Sequence, residues 1–356
     1  TNQRRKHGKK DSFKPDRMKA GSDSSLKRVF SQIGIPEKTP FQPDPFQLDA
    51  IKAVSDSDCL VTAPTGAGKT WIAEQAIARI RKRGGKSWYA SPLNALSYGK
   101  LAEFSKMFGS KNVGILTGDR QENPDAPIII GTTEILRNQL YDAMRRGKSL
   151  ATDFVILDEA HFLGDEDRGV VWEEIMIYLP VRIPLLLLSA TIGNADQIAA
   201  WLASIRSGPC TVIEETVRPV PLFPLFFDPS GTLLPLTVTD KQSRRQCISK
   251  KVDQYIKSRH RRNFGNPRDL PPFDDLLRVL RKYNLLPAIF FLKSRADCDR
   301  ALDLCRGQMQ LGKSRHWQLG PIIEKYIQHT PHIAHHRHRW DLVHLAVGAH
   351  HSGQLP

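Results

Sequence analysis

Cysteine is scarce and scattered in this chain. Cys59, Cys210, Cys247, Cys298 and Cys305 are odd in number, and no two of them form a Cys-x-x-Cys pair. That argues against a disulfide framework or a zinc ribbon and suits a reducing, intracellular compartment, with the cytoplasm as the expected location. Long apolar runs are missing as well. No stretch reaches the roughly 18 residues that a membrane helix needs, and no secretory apolar core opens the chain, so no membrane partner is expected. Acidic residues are in deficit: 37 Asp and Glu stand against 52 Lys and Arg, a formal net charge of +15. A surplus of this size favours a polyanionic partner, most simply nucleic acid.

The basic residues are unevenly placed. Residues 1–28 carry ten of them, with Asp11, Asp16 and Asp23 as the only acids, and few large apolar residues accompany them. The arm of residues 1–40 is therefore read as disordered when free. A second basic stretch, Lys241 to Arg262, has Asp253 as its only acid. Each stretch reads equally well as a solvated charged segment or as an arm that steers nucleic acid.

What is present points to chemistry. The apolar run Cys59-Leu60-Val61-Thr62 leads into Ala63-Pro64-Thr65-Gly66-Ala67-Gly68-Lys69-Thr70. A buried strand entering a Gly-containing loop that ends in Lys-Thr is a phosphate-binding loop. Small residues let backbone N–H groups turn inward around phosphates, and Gly66 and Gly68 allow dihedrals that a side chain would forbid. Lys69 would place its charge on the β and γ phosphates of a nucleotide, and the Thr70 hydroxyl would ligate Mg²⁺. From Trp71 to Arg83 the apolar positions have helical spacing, which sets the phosphates at a helix N-terminus. The first position of the usual pattern is Ala63 rather than Gly.

With 356 residues and 40% hydrophobic content, the chain suits two globular domains. Ser87–Ala90, Val113–Leu116, Pro127–Ile130, Phe154–Leu157 and Leu185–Leu188 read as buried strands. Leu93 to Phe108, Thr133 to Met144 and Ala195 to Ala203 read as the helices between them. Such alternation predicts an α/β domain, a parallel sheet covered by helices on both faces, over residues 41–215. Residues 216–272 form a Pro-rich and basic connecting segment, with a linker at Gly265 to Pro272. Phe273 to Tyr283 (helix), Pro287 to Leu292 (strand) and Ser294 to Cys305 (helix) then open a second α/β unit over residues 273–356. Near the end, His329, His332, His335, His336, His338 and His344 crowd together without cysteine or carboxylate partners at ligand spacing. They read as surface histidines rather than a metal site.

Val155-Ile156-Leu157 delivers the adjacent carboxylates of Asp158 and Glu159 at a strand's end. One can hold Mg²⁺ while its neighbour orients or deprotonates the attacking water, and we assign Asp158 to the metal and Glu159 to the water. Asp158-Glu159-Ala160-His161 resembles motif II of superfamily-two helicases, whose other motifs follow in order. The segment Phe41 to Gln47 is similar to their adenine-recognition element, which implies that Gln47 hydrogen-bonds the adenine edge and that Phe41 packs on its face. Tyr89 to Ser97 resembles motif Ia, and Thr117-Gly118-Asp119 with Gly131 to Arg137 resembles the Ib region. The nucleic-acid contacts so implied are Ser91, Pro92, Leu93, Thr117, Gly118, Thr132, Thr133, Glu134 and Arg137, since hydroxyls and loop N–H groups suit a sugar-phosphate backbone. Ser189-Ala190-Thr191 matches motif III, so Ser189 and Thr191 would couple nucleotide state to nucleic acid.

The run Asp165 to Glu174, Arg218 to Leu222, and Val347 to Pro356 with His350 and His351 resemble superkiller-type helicases, a subgroup of RNA helicases and some DNA-repair helicases. His350 and His351 would then also touch nucleic acid. The resemblance implies two RecA-like domains and an ATP-dependent RNA helicase moving 3′ to 5′. Its partners would be single-stranded or structured RNA and accessory proteins of RNA degradation or processing. A repair-type helicase acting on DNA is the alternative. The family's second domain continues past the His-His-Ser-Gly element to motifs V and VI, which the 356 residues do not include. The expectation is a longer natural protein, of which this stretch alone binds ATP and nucleic acid without turnover.

Overall fold

The computed structural model describes residues 18–31, 33, 40–240, 244–260, 270–308, 316–329, 334–336 and 338–351. Two compact units divide the chain, Lys38–Pro221 and the pair of segments Thr1–Glu37 with Leu222–Pro356. Among the described residues, β1 (Gly21–Ser22) and α1 (Lys27–Ser31) of the second of these come first. The Lys38–Pro221 unit then runs α2 (Pro45–Ala53), β2 (Asp58–Thr62), α3 (Lys69–Lys82), β3 (Ser87–Ser91), α4 (Asn94–Phe108), β4 (Val113–Leu116), β5 (Gln121–Glu122), β6 (Ile128–Thr132), α5 (Thr133–Arg145), β7 (Phe154–Asp158), α6 (Gly169–Tyr178), β8 (Leu185–Ser189), α7 (Ala195–Arg206) and β9 (Cys210–Glu214).

Its eight strands lie in the order β5-β4-β6-β3-β7-β8-β2-β9, all parallel except β5 at the edge. Every residue of β3, β6 and β8 is buried, so these strands read as continuous rather than alternating apolar runs. Alternate residues still serve opposite layers. Val61, Ile156, Leu186 and Leu188 pack with Phe46, Ile72, Ile77 and Phe104 of α2, α3 and α4. Leu60, Val155, Leu185 and Leu187 pack with Leu136, Trp172, Ile175 and Leu202 of α5, α6 and α7. Each such side chain contributes about 1.5–3 kcal/mol when taken out of water. The result is a helix–sheet–helix α/β sandwich.

In the other unit, β10 (Leu225–Phe227) and β11 (Thr232–Pro235) pair antiparallel, with β1 parallel to β11. A second antiparallel pair joins β12 (Thr237–Thr239) and β13 (Gln246–Ile248). Helices α8 (Lys250–His260), α9 (Phe273–Lys282), α10 (Arg295–Gln308), α11 (His316–His329) and α12 (Arg339–Leu345) follow. Phe273, Ala301, Cys305 and Leu345 make one small core there. Arg306 of α10 clamps the fully buried Asp341 of α12 through two bonds of 2.6 Å.

Two expectations change here. Residues 18–31, inside the arm expected to be disordered, are ordered: Gly21 and Ser22 join the β11 ladder, and Leu26 is buried with Leu233 and Val279. Ala20, Val29 and Phe30 flank that cluster, an apolar face that the charge count hides. Residues 1–17 lie outside the described set, as does most of the expected linker. The strand expected over Pro287–Leu292 has no ladder partner among the described residues, and Ile289 and Phe291 are 82% and 92% exposed. An extended run becomes a strand only when a neighbour takes up its N–H and C=O groups. Among the described residues of 273–356 there is no parallel sheet.

A guanidinium enters the core of the Lys38–Pro221 unit. Arg206, at the end of α7, is 2% exposed; it donates to Asp58 Oδ2 at 2.6 Å and to the carbonyls of Leu179 at 2.8 Å and Ile183 at 2.7 Å. The other oxygen of Asp58 accepts the N–H of Leu185 at 2.9 Å, so α7, β2 and β8 share one polar knot. Truncation strands a buried carboxylate and two carbonyls. Arg206→Ala is expected to lower the unfolding free energy by about 3–5 kcal/mol in urea denaturation. A loss below about 1 kcal/mol would show that water replaces the guanidinium at no cost.

Candidate nucleotide site

Because β2, β3, β4, β6, β7 and β8 are parallel, their C-terminal ends meet at one edge of the sheet, where open α/β sheets bind ligands. The phosphate loop leaves β2 there and closes at Gly68, the residue before α3. Gly66 and Gly68 have φ of 89° and 81°, in the left-handed region, as the sequence requires. A Cβ on Gly68 would also lie 2.5 Å from Gln47 Nε2. Thr65 and Gly66 are exposed, whereas Pro64 and Ala67 are buried. Lys69 folds its ammonium back on the carbonyls of Ala63 at 2.6 Å and Pro64 at 3.3 Å. Burial pulls its pKa below the ordinary lysine value, and the charges of Glu159 and Asp158 oppose that shift.

Asp158 ends β7. Its Oδ2 accepts a short hydrogen bond from the Tyr89 hydroxyl of β3, and its Oδ1 accepts the Glu159 N–H at 2.9 Å. Glu159 has φ 57°, uncommon for a residue with a side chain, and its Oε2 is 3.4 Å from His161 Nδ1. Thr70 Oγ1 accepts from Lys100 Nζ of α4 at 2.8 Å. The donor set of a threonine hydroxyl and a carboxylate is oxygen only, which fits Mg²⁺. Thr70 and Asp158 are the residues that would hold it.

Most of the other expected contact residues are engaged within the protein. Gln47 is 1% exposed and spends its amide inside the protein, donating to the carbonyls of Ala67 at 3.1 Å and Gly68 at 3.3 Å and accepting the Asp44 N–H at 2.9 Å. It fastens the loop to α2. Phe41, by contrast, is 65% exposed beside Trp71, ring centroids 5.4 Å apart. Ser91 is wholly buried, its hydroxyl 2.9 Å from that of Ser97, so it closes the turn before α4. Pro92, Thr132 and Thr133 are buried too, and the Thr133 hydroxyl donates to Glu134 at 3.3 Å. The Thr117 hydroxyl binds Asp119 at 2.9 Å, and Arg137 is paired with Glu174 at 3.4 Å. Leu93, Gly118 and Thr191 are exposed at the loops. Ser189 is buried, and its hydroxyl has no hydrogen-bond partner among the described residues. His350 and His351 belong to the other unit, where His351 Nε2 lies 3.3 Å from Asp299.

Sequence reasoning missed Tyr89 and Lys100, and also Glu74. The only available signals were a phenol in an otherwise apolar strand and an i, i+3 Lys–Glu pair on α4. Glu74 of α3 is buried and hydrogen-bonded with Glu103; burial first, then the charge of Glu103, raise its pKa from 4.5 to about 7. The folded state therefore holds this proton where the unfolded chain has lost it. Its contribution to stability is fully present below about pH 4.5 and is lost as pH rises through about 7. Glu74→Gln is expected to abolish that loss, so the stability difference between variant and wild type, from urea unfolding, should favour the variant more at about pH 8 than at about pH 5. An equal difference at both would remove Glu74 as the titrating group.

Residues 44–198 match the DEAD/DEAH box helicase family. The chain is 35% identical to the DExH-box ATP-dependent RNA helicase DExH15 chloroplastic of Arabidopsis thaliana, across 89% of this chain and 30% of that protein. It is 34% identical to Superkiller complex protein 2 of Homo sapiens, across 89% of this chain and 27% of that protein. It is 46% identical to antiviral helicase SKI2 of Saccharomyces cerevisiae, across 51% of this chain and 14% of that one. The chain thus spans 30% or less of the length of these relatives. The matched residues are those whose strand ends carry the loop and the carboxylate pair, so residues 44–198 are a DEAD/DEAH box helicase domain.

Proposed function

We propose that these residues belong to an ATP-dependent RNA helicase that moves 3′ to 5′ in the cytoplasm and works with RNA-degradation or RNA-processing proteins. One observation carries the enzymatic part of the reading: Lys69, Thr70, Asp158 and Glu159 come from two strand ends on one edge of a single sheet. The RNA preference is supported by the chain's likeness to proteins named as RNA helicases and by its net charge of +15.

In this reading the loop N–H groups and Lys69 bind the β and γ phosphates of ATP, and Phe41 packs on the base. Mg²⁺, held by Thr70 and Asp158, supplies charge neutralisation on the phosphate oxygens. Tyr89 fixes Asp158 in place by donating to Oδ2. Glu159 takes the proton of the attacking water, or orients it for attack. Ser189 and Thr191 carry the consequence of hydrolysis to the exposed loops at Leu93 and Gly118. Contacts to the backbone rather than to base edges make the action sequence-tolerant.

ATPase activity of the full-length protein with matched RNA and DNA strands tests the assignment. Stimulation by RNA is expected; stimulation by DNA with indifference to RNA would replace it with the repair-type reading. Lys69→Ala is expected to weaken nucleotide binding by at least about tenfold, through loss of charge-assisted bonds. Glu159→Gln is expected to keep ATP binding and to lower turnover by about 10²–10⁴-fold. Turnover retained in Glu159→Gln would assign the base elsewhere.

A further inference from the structure

Lys100 is suspended between two elements of the site. Its ammonium donates at 2.8 Å to Thr70 Oγ1 and at 2.8 Å to Glu103 Oε2, with its side chain only 18% exposed. Buried Glu74 is bonded to Glu103 and acts electrostatically on the same cluster. The cation therefore has a hydroxyl on one side and the Glu103 carboxylate, itself bonded to Glu74, on the other.

The helix that carries Lys100 also reaches the exposed loops. Asn94 donates to Asp119 Oδ1 at 3.0 Å, the Tyr98 hydroxyl donates to Asp119 Oδ2 at 2.7 Å, and Thr117 donates to Oδ1 at 2.9 Å. So α4, which follows directly on Leu93, is bonded to Thr70 near its middle and to the Thr117–Asp119 loop near its start.

An ammonium and a divalent cation compete for one hydroxyl, because both seek its lone pairs and they repel each other. We propose that Lys100 is a displaceable cation at Thr70. It holds the metal-binding hydroxyl until the nucleotide arrives with Mg²⁺, then withdraws onto Glu103 and transmits occupancy through α4 to the loops at Leu93 and Gly118. Lys100 is thus a positioning residue that touches no reacting atom. The inference rests on reading Ala63 to Thr70 as a Mg-nucleotide site.

The test follows binding of a fluorescent ADP to the intact chain as Mg²⁺ is titrated. Lys100→Met is expected to lower the Mg²⁺ concentration at half-saturation by about tenfold, since one repelling charge is gone. Lys100→Arg, which keeps that charge, is expected to stay near wild type. Glu103→Gln is expected to raise the half-saturation point, because the ammonium has one carboxylate fewer to withdraw to. Superimposable wild-type and Lys100→Met curves, or equal shifts in Lys100→Met and Lys100→Arg, overturn the proposal. If circular dichroism shows Lys100→Met unfolded, Glu103→Gln decides, and an unchanged or lowered value overturns it. Lys69→Ala in the same assay separates the underlying reading: nucleotide binding indifferent to that change overturns the site itself, whatever Lys100 does.

Discussion

The site depends on one constraint, the common direction of its strands. In a parallel sheet every strand hands its next loop to the same edge, so residues far apart in sequence are delivered together. Register then sets the depth of each. Thr62 lies opposite Ser189, Asp158 opposite Leu188, and Ser91 opposite Thr132. A one-residue slip of β7 would turn Asp158 to the other face of the sheet and break its bond to Tyr89. The buried apolar residues on both faces of β7 and β8 forbid that slip, which makes core packing the guarantor of the chemistry.

Around this edge, the phosphate loop, Asp158 and Thr70 are each held by a neighbouring side chain. Gln47 fastens the phosphate loop, Tyr89 holds Asp158, and Lys100 holds Thr70. Each bond satisfies a polar group near the protein interior, where leaving it unpaired costs about 1–3 kcal/mol. Tyr89 shows how orientation and charge combine. Burial, then the Asp158 charge, push the phenol pKa well above its ordinary value, so the proton stays on tyrosine. Tyr89 is therefore always the donor and Asp158 always the acceptor.

The sequence made the scaffold legible because its signals there are local. Apolar runs bounded by Gly and polar residues mark strands, helical spacing marks α3, α4, α5 and α7, and Lys-Thr after a Gly-containing loop marks the phosphate site. What stayed hidden was pairing across the fold. Nothing around Arg206 says that it meets Asp58 in the core, and nothing around Gln47 says that its amide is consumed by the loop. Hydroxyls beside loops look available on paper. In the fold Ser91, Thr132 and Thr133 are buried, because the residue that closes a turn is packed beneath it. Pro287–Leu292 shows the converse: strand character belongs to a pair of segments and cannot be read from one.

Glu159 is the one place in the site where the backbone itself is strained. With φ 57° and ψ 43° it occupies the left-handed region, at a cost of about 1–2 kcal/mol for a residue with a side chain. The turn so formed begins the short helix Ala160–Gly164, as the Phe162 N–H donates to the Glu159 carbonyl at 3.0 Å. Its effect is to send two adjacent carboxylates to different partners, Asp158 to Tyr89 and Glu159 toward His161. Both charges still act on Lys69. Had the strand continued straight, alternation would have put Glu159 on the opposite face of the sheet from Asp158, within the helix layer. The strained turn keeps both carboxylates at the edge where the loop between β2 and α3 ends.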